Sequence, residues 1–180
     1  MPTIISHPVV PLTLAALVGS RWWNWRLLAL GVLASMLPDL DVLAFRWGIA
    51  YSHEFGHRGF SHSLAFALIL GAIGALIAPI LNASRWVCAL FLFASCASHG
   101  LLDMCTNGGL GVAYFWPLSE TRYFFPHRFI EVSPLNLNRF MGPAGLSVLH
   151  SEWRSIWLPA IVLVITCHVL RKLFSRRASP

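Results

Sequence analysis

The sequence predicts an all-α, polytopic membrane bundle of about four to five transmembrane or re-entrant helices, with a long loop between the last two. Of its 180 residues, 57% are hydrophobic and only 11% are charged. Soluble domains carry about 25% charged residues, so this composition excludes an ordinary soluble domain. Several apolar runs also approach the roughly 20 residues that a helix needs to cross a bilayer.

The apolar runs define the order of the predicted helices. They occupy residues 4–19, 27–50, 62–82, 85–105 and 154–174. The first run is short and contains two prolines, which favours a marginal span or a re-entrant helix. The second contains Pro38, which should kink or restart the helix because proline lacks a backbone donor. The third and fourth predict an antiparallel pair, because very few residues connect them.

The rest of the chain adds a polar segment and a basic tail to a single domain over residues 1–180. Residues 106–153 are rich in glycine, proline and aromatic residues, and residues 171–180 form the tail. The net charge is +6. In a membrane protein such an excess sets orientation and contacts anionic lipid, so we expect membrane lipid as a partner and no direct nucleic-acid binding. The four cysteines show no CxxC spacing and predict no disulfide framework or zinc knuckle.

An antiparallel bundle would collect almost all metal-ligand residue types at one end. That end receives His7, Asp39, Asp41, His53, His57, His62, His99, Asp103, His127, Glu131, His150 and Glu152. The opposite end receives Arg21, Arg26, Arg85, Arg171, Lys172, Arg176 and Arg177. Because short basic loops favour the cytoplasm, we expect the ligand-rich end on the outer side and the basic tail in the cytoplasm.

The motif HRGFSHS at residues 57–63 stands directly before the third apolar run. His57 and His62 flank the junction between loop and helix and are placed to converge on one ion, although single histidines are more often structural. The guanidinium of Arg58 forks well onto phosphate or carboxylate. It predicts an anion clamp for a substrate, with an ion pair to a nearby aspartate as the alternative.

Acidic residues accompany these histidines. Asp39 and Asp41 lie so close that they should repel each other unless a cation lies between them; a solvated helix end is the alternative. His99 and Asp103 are spaced i, i+4 and share a helix face, which suits zinc or a similar divalent ion. The alternative is a buried His–Asp hydrogen bond between helices. Glu152 opens the last run as a candidate proton acceptor, or as an acid that suits the helix dipole.

Together these motifs resemble the YdjM-type family of inner-membrane proteins, which are classed as metal-dependent hydrolases, some of them described as LexA-binding. The resemblance extends from residue 7 to about residue 160. The matching positions are His7, Asp39, Asp41, His57, Arg58, Gly59, His62, Ser63, His99, Asp103, Thr106, Gly109, Gly111, Trp116, Pro117, Arg122–Pro126, Glu152 and Trp153. The order of ligand types is also similar to that of zinc-dependent phospholipase C. The resemblance implies a bacterial inner-membrane location and adds His7 to the metal ligands.

The resulting hypothesis is a membrane-bound hydrolase whose substrate is a lipid-like ester or phosphoester at the membrane interface. One or more divalent ions, zinc first, would be held by His7, Asp39, Asp41, His57, His62, His99 and Asp103. Arg58 would bind the substrate, and Asp41 or Glu152 would accept the proton of water. The alternative is a non-enzymatic scaffold or regulatory protein with a structural or sensory metal site and a regulatory protein partner at the basic tail. A haem centre ranks third, because acids accompany the histidines.

Overall fold

The computed structural model describes residues 1–19, 22–134 and 136–177, with side chains up to Ser175. Arg21 and the side chains of Arg176 and Arg177, expected at the basic end, lie outside the described residues. The α-helices are α1 (Val9–Val18), α2 (Trp25–Met36), α3 (Leu64–Leu81), α4 (Arg85–Met104), α5 (Leu137–Phe140), α6 (Pro143–Glu152) and α7 (Leu158–Arg177).

Among the described residues, four helical stretches are long and apolar enough to cross a membrane. They are Trp25–Trp47, Leu64–Leu81, Arg85–Met104 and Pro143–Ser175. The predicted all-α membrane bundle is therefore confirmed.

Helix α4 is the centre of the bundle and contacts α1, α2 and α3. It pairs most extensively with α3, which ends at Asn82 in the left-handed conformation (φ 50°). Small residues allow the two helices to approach closely, as is common in membranes. A Cβ atom on Gly74 would lie only 2.8 Å from the carbonyl oxygen of Cys88. The antiparallel pair predicted from the short connection is confirmed.

Pro38 changes the course of the second span, as its position in the sequence predicted. Helix α2 ends at Met36, and the chain continues as a 3-10 helix over Leu37–Trp47. In a 3-10 helix each N–H bonds to the carbonyl three residues earlier. The carbonyl of Ser35 would then pair with residue 38, which as proline has no N–H. This carbonyl is left for a donor from another helix.

Helix α1 fits the re-entrant alternative better than a full crossing. Its 10 residues reach about 15 Å, roughly half the hydrocarbon thickness of a bilayer. The carbonyls at its C-terminal end are paired with groups from other elements. The indole of Trp23 donates to the Ala15 carbonyl at 2.7 Å, and Arg171 donates to the Leu17 carbonyl.

The last helix begins at Pro143 rather than at residue 154, so the polar segment is shorter than the predicted 106–153. Proline at the first position of a helix costs no hydrogen bond, which suits Pro143. Helices α6 and α7 are continuous through a π-helical turn at Trp153–Trp157. The remaining polar segment folds back on itself through isolated bridges between Thr106 and Ile130 and between Val112 and Tyr123. The Phe125 N–H donates to the carbonyl of Met104, the last residue of α4.

Candidate metal centre

Five of the predicted ligands meet at one end of the bundle, where each is at most 3% exposed: His7, Asp39, His62, His99 and Asp103. His62 Nε2 lies 3.1 Å from His99 Nε2 and 3.4 Å from Asp103 Oδ2. His99 Nε2 lies 3.3 Å from Asp39 Oδ1. Four ligands placed tetrahedrally at zinc-bonding distance are about 3.3–3.4 Å apart. The spacing of these donor atoms therefore fits a shared divalent ion.

The hydrogen bonding of the cluster supports the same conclusion. Both oxygens of Asp39 and Asp103 and both ring nitrogens of His7 are buried and have no hydrogen-bond partner among the described residues. His7 Nε2 lies 3.8 Å from Asp39 Oδ2 and 3.9 Å from Asp103 Oδ1. Buried charges and polar groups without partners are costly, and coordination of a metal is one of the ways to satisfy them. The residues fit a divalent cation.

Asp41 lies behind the ligands. Its Oδ1 is 2.6 Å from His57 Nδ1, and its Oδ2 is 3.1 Å from His62 Nδ1. The Ser61 hydroxyl and the Arg58 N–H also donate to Oδ2. A carboxylate on Nδ1 fixes an imidazole with Nε2 free for a metal. Asp41 was expected to bind the metal or to accept a proton from water, but both of its oxygens are occupied by protein donors.

His99 is oriented by the break in α2. Its Nδ1 lies 2.7 Å from the Ser35 carbonyl, the acceptor that Pro38 leaves unpaired, so Nε2 points toward the carboxylates. Its ring stacks on that of His7, with centroids 3.7 Å apart and planes inclined by 13°. A broken membrane helix thus supplies the outer hydrogen bond of a ligand on α4.

His57 occupies the edge of the cluster nearest the polar loops. It is 2% exposed, and its ring meets that of Tyr51 edge-on at 5.0 Å. Donor atoms of His57, Asp39 and His62 all lie within 4.8 Å of one another, as do donor atoms of His7, His99 and Asp103. The seven residues predicted to bind metal are thus all in or directly behind one cluster.

Arg58 is placed differently from the expected substrate clamp. It is fully buried, and its Nε lies 3.0 Å from Asp103 Oδ2. Its two terminal nitrogens donate to the Gly108 carbonyl and to the Thr106 hydroxyl. Gly109 has a φ of +89°, which favours glycine, and a Cβ atom there would lie 2.8 Å from Nη1 of this guanidinium. The guanidinium of Arg58 is thus engaged with Asp103 and the neighbouring loop, and it is not exposed to a substrate.

Glu152 is likewise not a free carboxylate. It is fully buried and accepts hydrogen bonds from the Thr3 hydroxyl at 2.6 Å, from the Ser6 hydroxyl at 2.7 Å and from the Thr3 backbone N–H. Its expected role as a proton acceptor does not match this placement. Glu152 fastens the N-terminal segment to the last helix.

The pKa values of two histidines in the cluster, His7 and His62, are shifted in opposite directions. Burial, together with the charge of His99, lowers the pKa of His7 to about 3. Burial also disfavours charge on His62, but the negative carboxylates of Asp103 and Asp41, which lie 3.4 and 3.1 Å from its ring nitrogens, outweigh burial and raise the pKa of His62 to about 9. The carboxylates therefore draw positive charge to the middle of the cluster.

Comparison with known proteins identifies the family. The sequence model of the YdjM inner membrane protein family matches residues 1–178. The chain belongs to this family. It is also 44% identical, over 170 residues, to the inner membrane protein YbcI of Escherichia coli (strain K12), covering 91% of this chain and 95% of that protein. No solved structure matches the chain. The resemblance based on the motifs is confirmed.

Some residues of the site carried no clear signal in the sequence. Arg122 donates to the backbone carbonyls of Tyr51, His53 and His57 at 3.0–3.1 Å and so fixes the loop that precedes Arg58. The match of Arg122 to the family pattern was the signal in the sequence that could have indicated its contribution to the site. The contribution of Ser35 was not visible, because a backbone carbonyl leaves no trace in residue type.

Proposed function

We propose that this YdjM-family membrane protein is a metal-dependent hydrolase with a zinc centre held by His7, Asp39, His62, His99 and Asp103. The supporting observation is that two buried carboxylates, whose oxygens accept no hydrogen bond from the described residues and of which only Asp103 has an arginine partner, face three imidazoles at 3.3–3.9 Å. Imidazole and carboxylate together suit zinc. When bound, a divalent ion supplies Lewis acidity, which polarises an ester and lowers the pKa of water.

The surrounding residues have distinct roles in this proposal. His57 accepts the proton of the attacking water, because Asp41 holds its Nδ1 at 2.6 Å and directs Nε2 away from the carboxylate. A base oriented by a third group in this way is a common arrangement in hydrolysis. Arg58 balances the charge of Asp103. This arrangement replaces Asp41 and Glu152, whose oxygens are engaged with other donors, as the proton acceptor.

The surface around the centre supports a lipid-like ester or phosphoester as substrate. Trp47, Leu118 and Phe125 are 78%, 92% and 41% exposed at this end of the bundle. Aromatic residues concentrate at the level of lipid headgroups. Basic residues at the opposite end, including Arg26 and Arg85, support placing the centre on the outer side of the inner membrane and the C-terminal tail in the cytoplasm.

The test compares metal content and turnover in detergent-purified variants. His99→Ala should lose zinc, measured by inductively coupled plasma mass spectrometry, and all hydrolysis of phosphoester and carboxyl-ester substrates. His57→Ala should retain zinc but lose turnover by roughly 100- to 10,000-fold, the usual range for a general base. His168→Ala, on an exposed part of α7, is the matched control and should change neither. Folded wild-type protein that binds no metal when zinc is supplied would contradict the proposal.

A second candidate function is supported by the closure of the centre. Its five ligands are at most 3% exposed, and closed sites are typical of structural zinc. In that case the protein is a scaffold or sensor, and a regulatory protein binds the basic tail from Arg171 onward. Removing residues 171–180 would abolish partner binding by a scaffold, whereas a hydrolase would retain its turnover.

A further inference from the structure

We infer that Glu152 is a positioning residue for His7, and that residues 1–7 form an arm that delivers this imidazole to the centre. The inference rests on the proposed metal centre. In this inference Glu152 does not bind the metal; it holds the segment that supplies the ligand His7.

The first observation is a difference between the histidines. His57 and His62 are oriented by Asp41 through Nδ1, and His99 is oriented by the Ser35 carbonyl. His7 Nδ1 has no partner among the described residues, although the side chain is fully buried. An outer hydrogen bond normally fixes the orientation of a metal-binding imidazole. The position of His7 must therefore come from its backbone and from stacking on His99.

The second observation is that Glu152 fixes this backbone. Its carboxylate accepts three hydrogen bonds from Thr3 and Ser6, and the Ser6 hydroxyl also accepts one from the indole of Trp157 at 2.9 Å. The π-helical turn begins directly after Glu152 and ends at Trp157. Such turns occur frequently at functional sites. Here the two side chains that bind the arm lie directly before the turn, at Glu152, and at its end, at Trp157.

On the other side of His7, the chain is held by apolar packing. Val9 is buried against Ile130 and Ile156, and Ile156 belongs to the same π-helical turn. The arm is thus attached to the last helix immediately before and after His7. Of these attachments, the carboxylate of Glu152 supplies the directional one, because charge-assisted hydrogen bonds are about twice as strong as neutral ones.

The experiment compares His7→Ala, Glu152→Ala and the double variant in full-length protein. Zinc affinity is measured by competition with a chromophoric chelator, and coordination by the visible spectrum of the Co²⁺-loaded protein. His7→Ala removes a ligand and should weaken zinc binding at least as much as the roughly 10- to 100-fold that follows loss of an outer partner, and Glu152→Ala, which displaces the same imidazole, should weaken it by a similar factor. They should share one altered Co²⁺ spectrum, and the double variant should be no weaker than His7→Ala.

Two further variants make the test specific. Glu131→Gln changes a different carboxylate of the same end, which is only partly buried, and should leave affinity and spectrum unchanged. Thr3→Val combined with Ser6→Ala removes the two hydroxyl donors while retaining Glu152 and the Thr3 backbone N–H, and should shift the spectrum toward that of Glu152→Ala. If Glu152→Ala lowers the melting temperature but keeps the wild-type spectrum and affinity, Glu152 is structural and the inference is wrong. Absence of metal from folded wild-type protein would instead contradict the proposed centre itself.

Discussion

Replacing Asp41 by asparagine tests how the centre is oriented, with almost no change in shape. The carboxylate accepts from His57 Nδ1 at 2.6 Å, His62 Nδ1 at 3.1 Å, the Ser61 hydroxyl at 2.6 Å and the Arg58 N–H at 3.1 Å. Asparagine retains one acceptor oxygen and presents an NH₂ group, which cannot accept, to the remaining donors. At least one imidazole therefore loses its outer partner.

The magnitude follows from the number of imidazoles affected. Loss of one outer partner weakens metal binding by about 10- to 100-fold. Because one of these two imidazoles, His62, is a proposed zinc ligand, we expect a decrease in zinc affinity of about 10- to 100-fold, or roughly 1.4–2.7 kcal/mol. The assay is competitive zinc titration of protein whose fold is checked by circular dichroism. The control is Glu54→Gln, since Glu54 accepts from the Trp116 indole at 3.0 Å on the exposed surface of the same end.

The titration separates three results. A decrease of about 10- to 100-fold supports the role of Asp41 as the outer partner of the ligand His62. Wild-type affinity in folded Asp41→Asn protein would refute that role. Complete loss of zinc, equal to that of Asp39→Asn, would instead mean that Asp41 binds the metal directly, as the sequence alone had suggested.

Two further predictions concern the framework. Gly74→Ala places a methyl group 2.8 Å from a backbone carbonyl of α4 and should lower the free energy of unfolding in detergent by about 1–3 kcal/mol. The control Ala72→Leu, on the exposed face of α3, should not lower it. Equal free energies of unfolding for the two variants would contradict the close packing. Arg122→Met leaves three carbonyls of the loop 51–57 without donors. The free energy of opening of this loop, measured by hydrogen exchange, should therefore fall by about 1–3 kcal/mol. Arg128→Met removes a guanidinium that lies over the partly buried ring of Phe124 and should leave that exchange unchanged.

The long-range fold was predictable where one physical signal dominated. Hydropathy and a short connection gave the α3–α4 pair, and Pro38 gave the break after α2. The start of the last helix was missed because residues 143–153 include a glycine, histidine and two serines, so their composition resembles that of a loop. A proline that begins a helix and one that ends a helix look alike without the surrounding contacts.

The sequence predicted which residues form the site better than it predicted the role of each residue. Topology alone brought His62, His99 and Asp103 to one end, because antiparallel helices alternate their termini. The roles of Asp41, Arg58 and Glu152 depended on which donors surround each side chain, and those donors come from distant segments. Residue type shows that a carboxylate is present, but it does not show that its oxygens are already occupied.

The origin of the ligands has a consequence for how the protein assembles. His7 precedes α1, Asp39 follows α2, His62 precedes α3, and only His99 and Asp103 lie within one helix. Membrane helices insert as separate units before they associate. If the proposed ion is bound, we expect the α3–α4 pair to form without it, whereas the ion would further stabilise the docked N-terminal arm and the 3-10 segment. On this proposal, metal binding would be a late step of maturation that follows insertion of the helices.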